Sequence, residues 1–430
     1  MEESNINQKG IIIGVNTYDD EKLFLEEISE LKNLAFACEI DIIDTVYQNR
    51  REIEPNSYLG KGKIDEVKMV IDALDIEVVV CNDELLPNQI SFLEKTLDIQ
   101  VFDRTYIILE IFNRRAKTKE AYLQVEIARL DYLLPRLVGM HQGLSRQRGT
   151  GGGFAKGKGR GETQLELDRR RLTNKIVSLR KELADLTLLR QEQRRARSKN
   201  EEKIVSLVGY TNSGKSSTLN AIMASPIVIK KDDKKKVLEK DMLFATLETS
   251  TRAIQLKSGS KFLLTDTVGF VNKLPTGLVE SFKSTLEEVS ESDLIIHVVD
   301  ASNPNFEAQI KATNDTLAEL NASNIPVIYA FNKTDLIDNY FFIPQNYYPS
   351  ITISAKDGIN IDRLIEMVLE KLFSDYIDIN LAIPYVDTKI VEEIKKNAIK
   401  YDINYNEENI SFIGKINPRI YNYVKKYQKD

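Results

Sequence analysis

Tryptophan is absent from this 430-residue chain, and cysteine and histidine occur only twice each, as Cys38, Cys81, His141 and His297. Two cysteines cannot build a disulfide framework, and no Cys/His spacing matches a structural metal site. A reducing compartment follows. Two histidines also leave little for histidine-based acid–base or nucleophilic chemistry. No basic segment followed by an apolar run opens the sequence, and its apolar stretches, such as Leu294 to Val299, fall far short of the ~20 residues that cross a bilayer. The expectation is a cytoplasmic protein, neither secreted nor membrane-spanning. What is present is ordinary for a soluble globular chain: 42% hydrophobic residues, 29% charged and a net charge of -6. At ~150 residues per domain, the length allows roughly three cores.

Charge is unevenly spread. Residues 1–115 carry 12 Lys and Arg against 24 Asp and Glu, whereas residues 136–203 carry 18 against 8. Within 136–161 there are 6 basic residues and no acidic one, an asymmetry that favours a polyanionic partner. The acidic block alternates short β-branched runs (11–15, 39–47, 77–81, 99–102) with helical patterns (21–36, 64–74, 87–97), which predicts a parallel sheet built from βαβ units. No GxGxxG follows any of these strands, so dinucleotide binding has no support there. The turn Gly60-Lys61-Gly62-Lys63 has two readings, an anion site at the start of the next helix and a tight turn with solvated lysines, the second preferred. From Lys117 the period changes. Leu123, Ile127, Leu130, Leu134 and Leu137 form one apolar seam, and Leu172, Ile176, Leu179, Leu183 and Leu186 form a second on a helix from about Gln164 to Lys199. Two matching seams predict an antiparallel helical hairpin. Its connector, 139–161, holds nine of the chain's twenty glycines, interleaved with Arg146, Arg148, Lys156, Lys158 and Arg160. Glycine gives this loop no shape of its own and the charges favour phosphate, so it is expected to fold onto RNA.

Residues 203–373 alternate strands (204–208, 261–265, 294–299, 326–331) with helices again, and 374–430 read as a short α+β tail. Directly after the first of these strands, Gly209-Tyr210-Thr211-Asn212-Ser213-Gly214-Lys215-Ser216 fits GxxxxGK[ST] and opens a helical pattern. Such a loop turns backbone amides toward a β-phosphate at a helix N-terminus. Lys215 bridges β and γ oxygens, and the Ser216 hydroxyl binds Mg2+. Three further segments follow in the order a GTPase requires: Asp266-Thr267-Val268-Gly269, Asn332-Lys333-Thr334-Asp335 and Ser354-Ala355-Lys356. Asp266 belongs at the metal's water shell and Gly269 near the γ-phosphate. The Asp335 carboxylate accepts from guanine N1–H and the 2-amino group, donors that adenine lacks there, a difference on the order of 10⁴ in selectivity. The switch threonine that completes the metal site lies among Thr246, Thr249 and Thr251, and spacing does not choose between them. Phe270 stands where many GTPases have a water-orienting Gln, so slow intrinsic hydrolysis is expected, with a partner or a backbone group positioning the water. His297 reads as a core strand residue, not a base.

The segments YLGKGKIDEV (58–67), NDELLPNQ (82–89), DRTYIILEIFNRRAKTKEAYLQVEIARLDYLLPRLVG (103–139), GGGFAKGKGRGETQLELDRRR (151–171), GYTNSGKSS, LFATLE (243–248), DTVGFVNKLP (266–275) and SFKSTLEE resemble the HflX family of ribosome-associated GTPases over nearly the whole chain. The resemblance implies a multidomain α/β protein: an N-terminal α/β domain (1–115), a helical hairpin linker with a Gly-rich basic loop (116–202), a Ras-like P-loop GTPase domain (203–373) and a small α+β C-terminal domain (374–430). It also implies Mg2+ as cofactor, with Thr246 as the switch ligand beside Ser216 and the segment Phe244-Ala245-Thr246-Leu247-Glu248 against the nucleotide. The implied function is a GTP- and GDP-binding factor, a monomer off the ribosome, that meets the large ribosomal subunit and its rRNA and splits or rescues stalled ribosomes. Another reading is an RNA-binding or assembly protein in which GTP only regulates affinity; relief of antibiotic-stalled ribosomes is a further one. ATP use by the N-terminal domain finds no nucleotide motif in residues 1–115.

Overall fold

A computed structural model describes residues 7–18, 21–137, 158–198, 203–229, 250–267, 269–270, 289–337 and 341–429. The chain divides into two compact units. One is centred on residues 1–193, and the other includes 194–241, 249–270 and 285–430. Between them they hold three sheets, giving the multidomain α/β architecture expected.

In the first unit, β1 (Gln8–Asn16), β2 (Ile40–Asn49), β3 (Val78–Cys81) and β4 (Gln100–Asp103) form a wholly parallel sheet in the order β2-β1-β3-β4. Ile11, Ile12 and Ile13 are fully buried, as are Val79, Val80 and Cys81, because a parallel sheet is covered on both faces. Cys38 and Cys81 are both buried free thiols. Helices α1 (Glu21–Ala37), α2 (Lys61–Leu74) and α3 (Pro87–Leu97) supply the crossovers, close to the predicted spans. A further helix, α4 (Arg104–Arg115), precedes α5 (Lys119–Leu133), and α6 (Lys158–Ser198) follows. Lys119 meets Glu182 at 2.5 Å, Lys175 meets Glu126 at 2.6 Å and Arg180 meets Asp131 at 2.8 Å, so three ion pairs join α5 to α6. Two details differ from the expectation. The first seam leaves the α-helix at Leu134, where a single 3-10 turn, Leu134–Arg136, takes over with Pro135 in it. The second helix begins at Lys158 instead of about Gln164, so Lys158 and Arg160 lie on helical backbone and not in a loop. Once a helix has nucleated, each added residue gains a hydrogen bond, so it extends through Gly159 and Gly161 despite a cost of about 1 kcal/mol apiece. Arg146, Arg148 and Lys156 lie outside the described residues.

In the second unit, β5 (Ile204–Val208), β6 (Ser250–Gln255), β7 (Lys261–Asp266), β8 (Leu294–Asp300), β9 (Val327–Asn332) and β10 (Ser350–Thr352) are ordered β10-β9-β8-β5-β7-β6. All neighbours are parallel except β6, which runs antiparallel to β7 along one edge. Helices α7 (Lys215–Ala224), α8 (Phe306–Glu319) and α9 (Ile361–Leu372) accompany this sheet. Strand order reverses between β5 and β8, which opens a crevice at their C-terminal ends. The remaining residues form a small α+β layer: the antiparallel sheet β11-β13-β12 (Ile377–Pro384, Asn409–Ile416, Ala398–Tyr405) with helices at Thr388–Asn397 and Pro418–Val424. Among the described residues no helix is long and apolar enough to cross a membrane.

One buried carboxylate joins the helical elements of the first unit to its sheet. Asp103, with no exposure, ends β4 and caps α4 by accepting from the Tyr106 amide at 2.8 Å. It also accepts from the Leu85 amide (3.0 Å) and the Tyr132 hydroxyl (2.9 Å) and pairs with Arg136 at 3.3 Å. Burial raises its pKa, while the two amides and Arg136 oppose that rise. Replacing it by alanine leaves two amides without their acceptor and takes from Arg136 its buried ion-pair partner, so Asp103→Ala is expected to cost about 3–5 kcal/mol and Asp103→Asn less. Amide hydrogen exchange over 104–137 checks this; protection equal to that of the unaltered chain contradicts it.

Candidate functional site

The crevice is built by loops that leave β5, β7, β9 and β10. Gly209, the first residue past β5, has φ +149, and a Cβ there would sit 2.2 Å from the Val298 carbonyl. Only glycine lets the loop pass β8 so closely. Gly214, at φ +94, caps α7 without a side chain, and a Cβ on it would lie 2.1 Å from Asn332 Nδ2. The first turn of α7 thus presents amide donors that no capping side chain occupies, an arrangement that binds anions. Lys215, only 7% exposed, folds its ammonium back onto the loop, donating to the Gly209 carbonyl (3.0 Å) and the Tyr210 carbonyl (2.8 Å). Burial pushes its pKa down to about 8, and the nearby Asp266 carboxylate opposes the shift. Ser216 Oγ donates to Asp266 Oδ2 at 2.7 Å. A hydroxyl and a carboxylate in contact, both hard oxygen donors, could hold Mg2+.

The other walls come from β7 and β9. Thr267 Oγ1 donates to the Leu207 carbonyl at 2.7 Å, and a Cβ on Gly269 would meet Thr211 Cα at 3.0 Å and Lys215 Nζ at 3.1 Å. Phe270 is 1% exposed, so its ring points into protein. Its amide donates to the Gly209 carbonyl (3.2 Å), and its carbonyl accepts from the Thr211 amide (2.7 Å). Asn332, 2% exposed, is the junction: its Nδ2 donates to the Ser213 carbonyl and its Oδ1 accepts from the Ala355 amide, each at 2.9 Å. Thr334 Oγ1 donates to the Ile353 carbonyl at 2.9 Å, and Ser354 Oγ donates to Asp335 Oδ1 at 2.8 Å, with Lys356 at 3.9 Å from Asp335. Lys333 Nζ meets Asp300 Oδ2 at 2.7 Å. The structure therefore gathers Gly209–Ser216, Asp266, Thr267, Gly269, Asn332–Asp335 and Ser354–Lys356 at one end of one sheet. Phe244, Ala245, Thr246, Leu247, Glu248, Thr249 and Val268 lie outside the described residues. Thr251 belongs to β6, and its hydroxyl is 3.1 Å from that of Thr265.

Three family profiles match in series: one described as GTP-binding GTPase N-terminal (25–113), one as GTP-binding GTPase Middle Region (115–197) and one as 50S ribosome-binding GTPase (204–333). The protein named GTPase HflX from Lacrimispora saccharolytica is 41% identical over 413 residues, covering 95% of this chain and 94% of that protein. That from Caldanaerobacter subterraneus subsp. tengcongensis is 39% identical over 412 residues, covering 96% and 92%. That from Escherichia coli K12 is 35% identical, covering 86% and 84%. The chain belongs to the HflX family of GTPases. It is a GTP-hydrolysing enzyme.

Two features of this HflX site escaped the sequence reading. One is the reciprocal backbone pairing of Phe270 with the phosphate loop, which no residue type announces. The other is Asp300, whose signal was a carboxylate ending the apolar strand Leu294–Asp300 on the side where α/β sheets bind ligands. His297, 1% exposed, is a core strand residue as expected. Burial, aided by the charge of Lys215, pushes its pKa down to about 3, so it stays neutral. Lys215 gives a pH signature. An anion bound to the loop favours the ammonium, so at pH values above about 8 binding must draw a proton from solution, and apparent affinity falls as pH rises through that value. Titration calorimetry of GDP at pH 8.5, in two buffers of different ionisation enthalpy, is expected to show fractional proton uptake that vanishes at pH 7. No uptake at pH 8.5 refutes the depressed lysine.

Proposed function

We propose that this HflX-family chain is a Mg2+-dependent, cytoplasmic ribosome factor. Its GTP form grips the large ribosomal subunit and splits or rescues stalled ribosomes, and hydrolysis releases it. The observation that carries this reading is the Asn332 side chain, which ties the phosphate loop to the segment bearing Ala355 and Ser354 and thereby couples triphosphate sensing to base selection. Gly209–Ser216 and the 266–269 segment cradle the phosphates, and Phe244–Glu248 close against them. Asn332–Asp335 with Ser354–Lys356 hold guanine, Asp335 accepting from its N1–H and 2-amino group. When bound, Mg2+ neutralises charge on the phosphate oxygens; Ser216 and Thr246 would hold it, with Asp266 behind its water shell. Lys215 exchanges its carbonyl partners for phosphate oxygens, and the ordered segments then report the γ-phosphate.

The ribosomal part rests on charge and on kinship. Residues 136–161 carry 6 basic and no acidic residues, and residues 204–333 match a family described as 50S ribosome-binding. Arg146, Arg148, Lys156, Lys158 and Arg160 supply rRNA phosphate contacts whose strength comes largely from counterion release. The division of labour follows residues 1–115, 116–202, 203–373 and 374–430, with the chain a monomer off the ribosome.

Cosedimentation with ribosomes in GTP, a nonhydrolysable analogue and GDP tests the whole reading. Association is expected with the first two and release with GDP, while Lys215→Ala pellets alike in all three. Nucleotide-independent association of the unaltered chain defeats the proposal. In equilibrium binding, Asp335→Asn should shift preference from guanine to xanthine nucleotides by about 10²-fold or more, since the 2-oxo group accepts where guanine donates. Thr246→Ala should keep GDP affinity and lose GTP-dependent ribosome binding. Equal loss of both moves the switch ligand elsewhere.

A further inference from the structure

Lys333 occupies a backbone conformation that an L-residue seldom adopts, φ 65 and ψ 32, at the head of the 3-10 turn Thr334–Leu336 that carries Asp335. Glycine would sit there without strain, so the side chain must contribute something that outweighs the local cost. Its ammonium reaches across to the neighbouring strand and meets Asp300 Oδ2 at 2.7 Å, with the two side chains 23% and 16% exposed. The carboxylate is itself fixed. Its other oxygen accepts from the Ser302 amide at 3.0 Å and the Ser302 hydroxyl at 2.5 Å. Asp300 also lies directly opposite Asn332 in the β8–β9 register, and the Ala301 amide donates to the Asn332 carbonyl at 2.9 Å. The chain entering the turn is therefore held from below by strand pairing and from the side by the ion pair.

We propose that Asp300 is a positioning residue for guanine selection: through Lys333 it locks the left-handed turn that aims the Asp335 carboxylate. The inference rests on the nucleotide-binding reading above and adds the device that sets its base specificity. Asp335 is restrained from one side by Ser354 Oγ at 2.8 Å, which fixes one carboxylate oxygen but not the direction of the backbone behind it. Asp300 supplies that second restraint. Asn332 keeps its own bonds to Ser213 and Ala355 when Asp300 is altered, so the phosphate loop stays joined to the base segment and the loss falls on the turn. A loosened Asp335 loses most with a base that offers it two donors and less with hypoxanthine, which lacks the 2-amino group.

The test measures affinity and dissociation rates of GDP, inosine diphosphate and xanthosine diphosphate on the full chain. Asp300→Ala is expected to weaken GDP about tenfold, mainly through faster dissociation, and to lower the ratio of GDP to inosine diphosphate affinity severalfold. Asp300→Asn, which keeps shape without charge, should lie between. Ser302→Ala, which removes the hydroxyl bond to the carboxylate while leaving the amide bond and the ion pair, should show a smaller change of the same sign, and it serves if Asp300→Ala fails to fold. In a Lys333→Gly background, Asp300→Ala should add nothing further, because the strain and the ion pair have both gone. Equal weakening of all three nucleotides, an unchanged ratio, or additivity with Lys333→Gly overturns the role of Asp300. An unaltered chain that binds no guanine nucleotide overturns the nucleotide-binding reading instead.

Discussion

The site depends on a single buried amide. Asn332 leaves the end of β9 and uses both ends of its carboxamide, one on the phosphate loop at Ser213 and one on the Ala355 amide. A net hydrogen bond is worth only about 1 kcal/mol, but a buried donor or acceptor left without its partner costs more, so the clamp resists opening one bond at a time. Its geometry also dictates sequence elsewhere. Gly214 must be glycine because its missing Cβ is where the amide nitrogen sits. Phosphate loop, base segment and the turn bearing Asp335 thus form one body, although each arises from a different strand.

The charges around that body are arranged to want an anion. Lys215 is buried against two carbonyls, which carry only partial charge, and its depressed pKa measures how poorly they replace water. The acidic partner in reach, Asp266, is engaged with Ser216. His297 lies near enough for the lysine charge to help suppress its protonation, so no second cation forms there in the physiological range. In the reading we propose, a phosphate chain relieves the lysine and a hard cation relieves the carboxylate, so the two ligands support one another's binding.

Much of the frame was legible because its geometry restricts residue type at fixed spacing. A loop that passes this close to the Val298 carbonyl and to the Asn332 amide needs Gly209 and Gly214, and in the reading we propose the guanine-selecting Asp stands three residues after the clamping Asn. The β-branched runs of the parallel strands in both larger sheets were equally plain, since a strand buried on both faces has no reason to alternate. Contributions settled by neighbours far away in sequence could not be read. The strand β6, which begins inside the segment holding the switch candidates and takes in Thr251, went unread, because Ser250–Gln255 becomes a strand only by pairing antiparallel with Lys261–Asp266. The start of the long helix at Lys158 was hidden by glycines whose local preference a nucleated helix overrides. Asp300 looked like the polar end of an apolar strand until Lys333 was seen to reach it.

Phe270 joins the static frame to the timing of hydrolysis. Its ring is buried and both its backbone polar groups are engaged with the phosphate loop, so this position cannot offer a side chain to an attacking water. That leaves backbone groups or a docked partner to position it. In the cycle we propose, the triphosphate state is therefore long-lived, because orienting a water is worth several orders of magnitude in rate for GTPases and the position usually given that task is here committed to the core. Such a lifetime suits the proposed role of a factor that stays loaded until it meets its target, and it moves control of that proposed cycle away from the loop whose geometry Asn332 holds fixed.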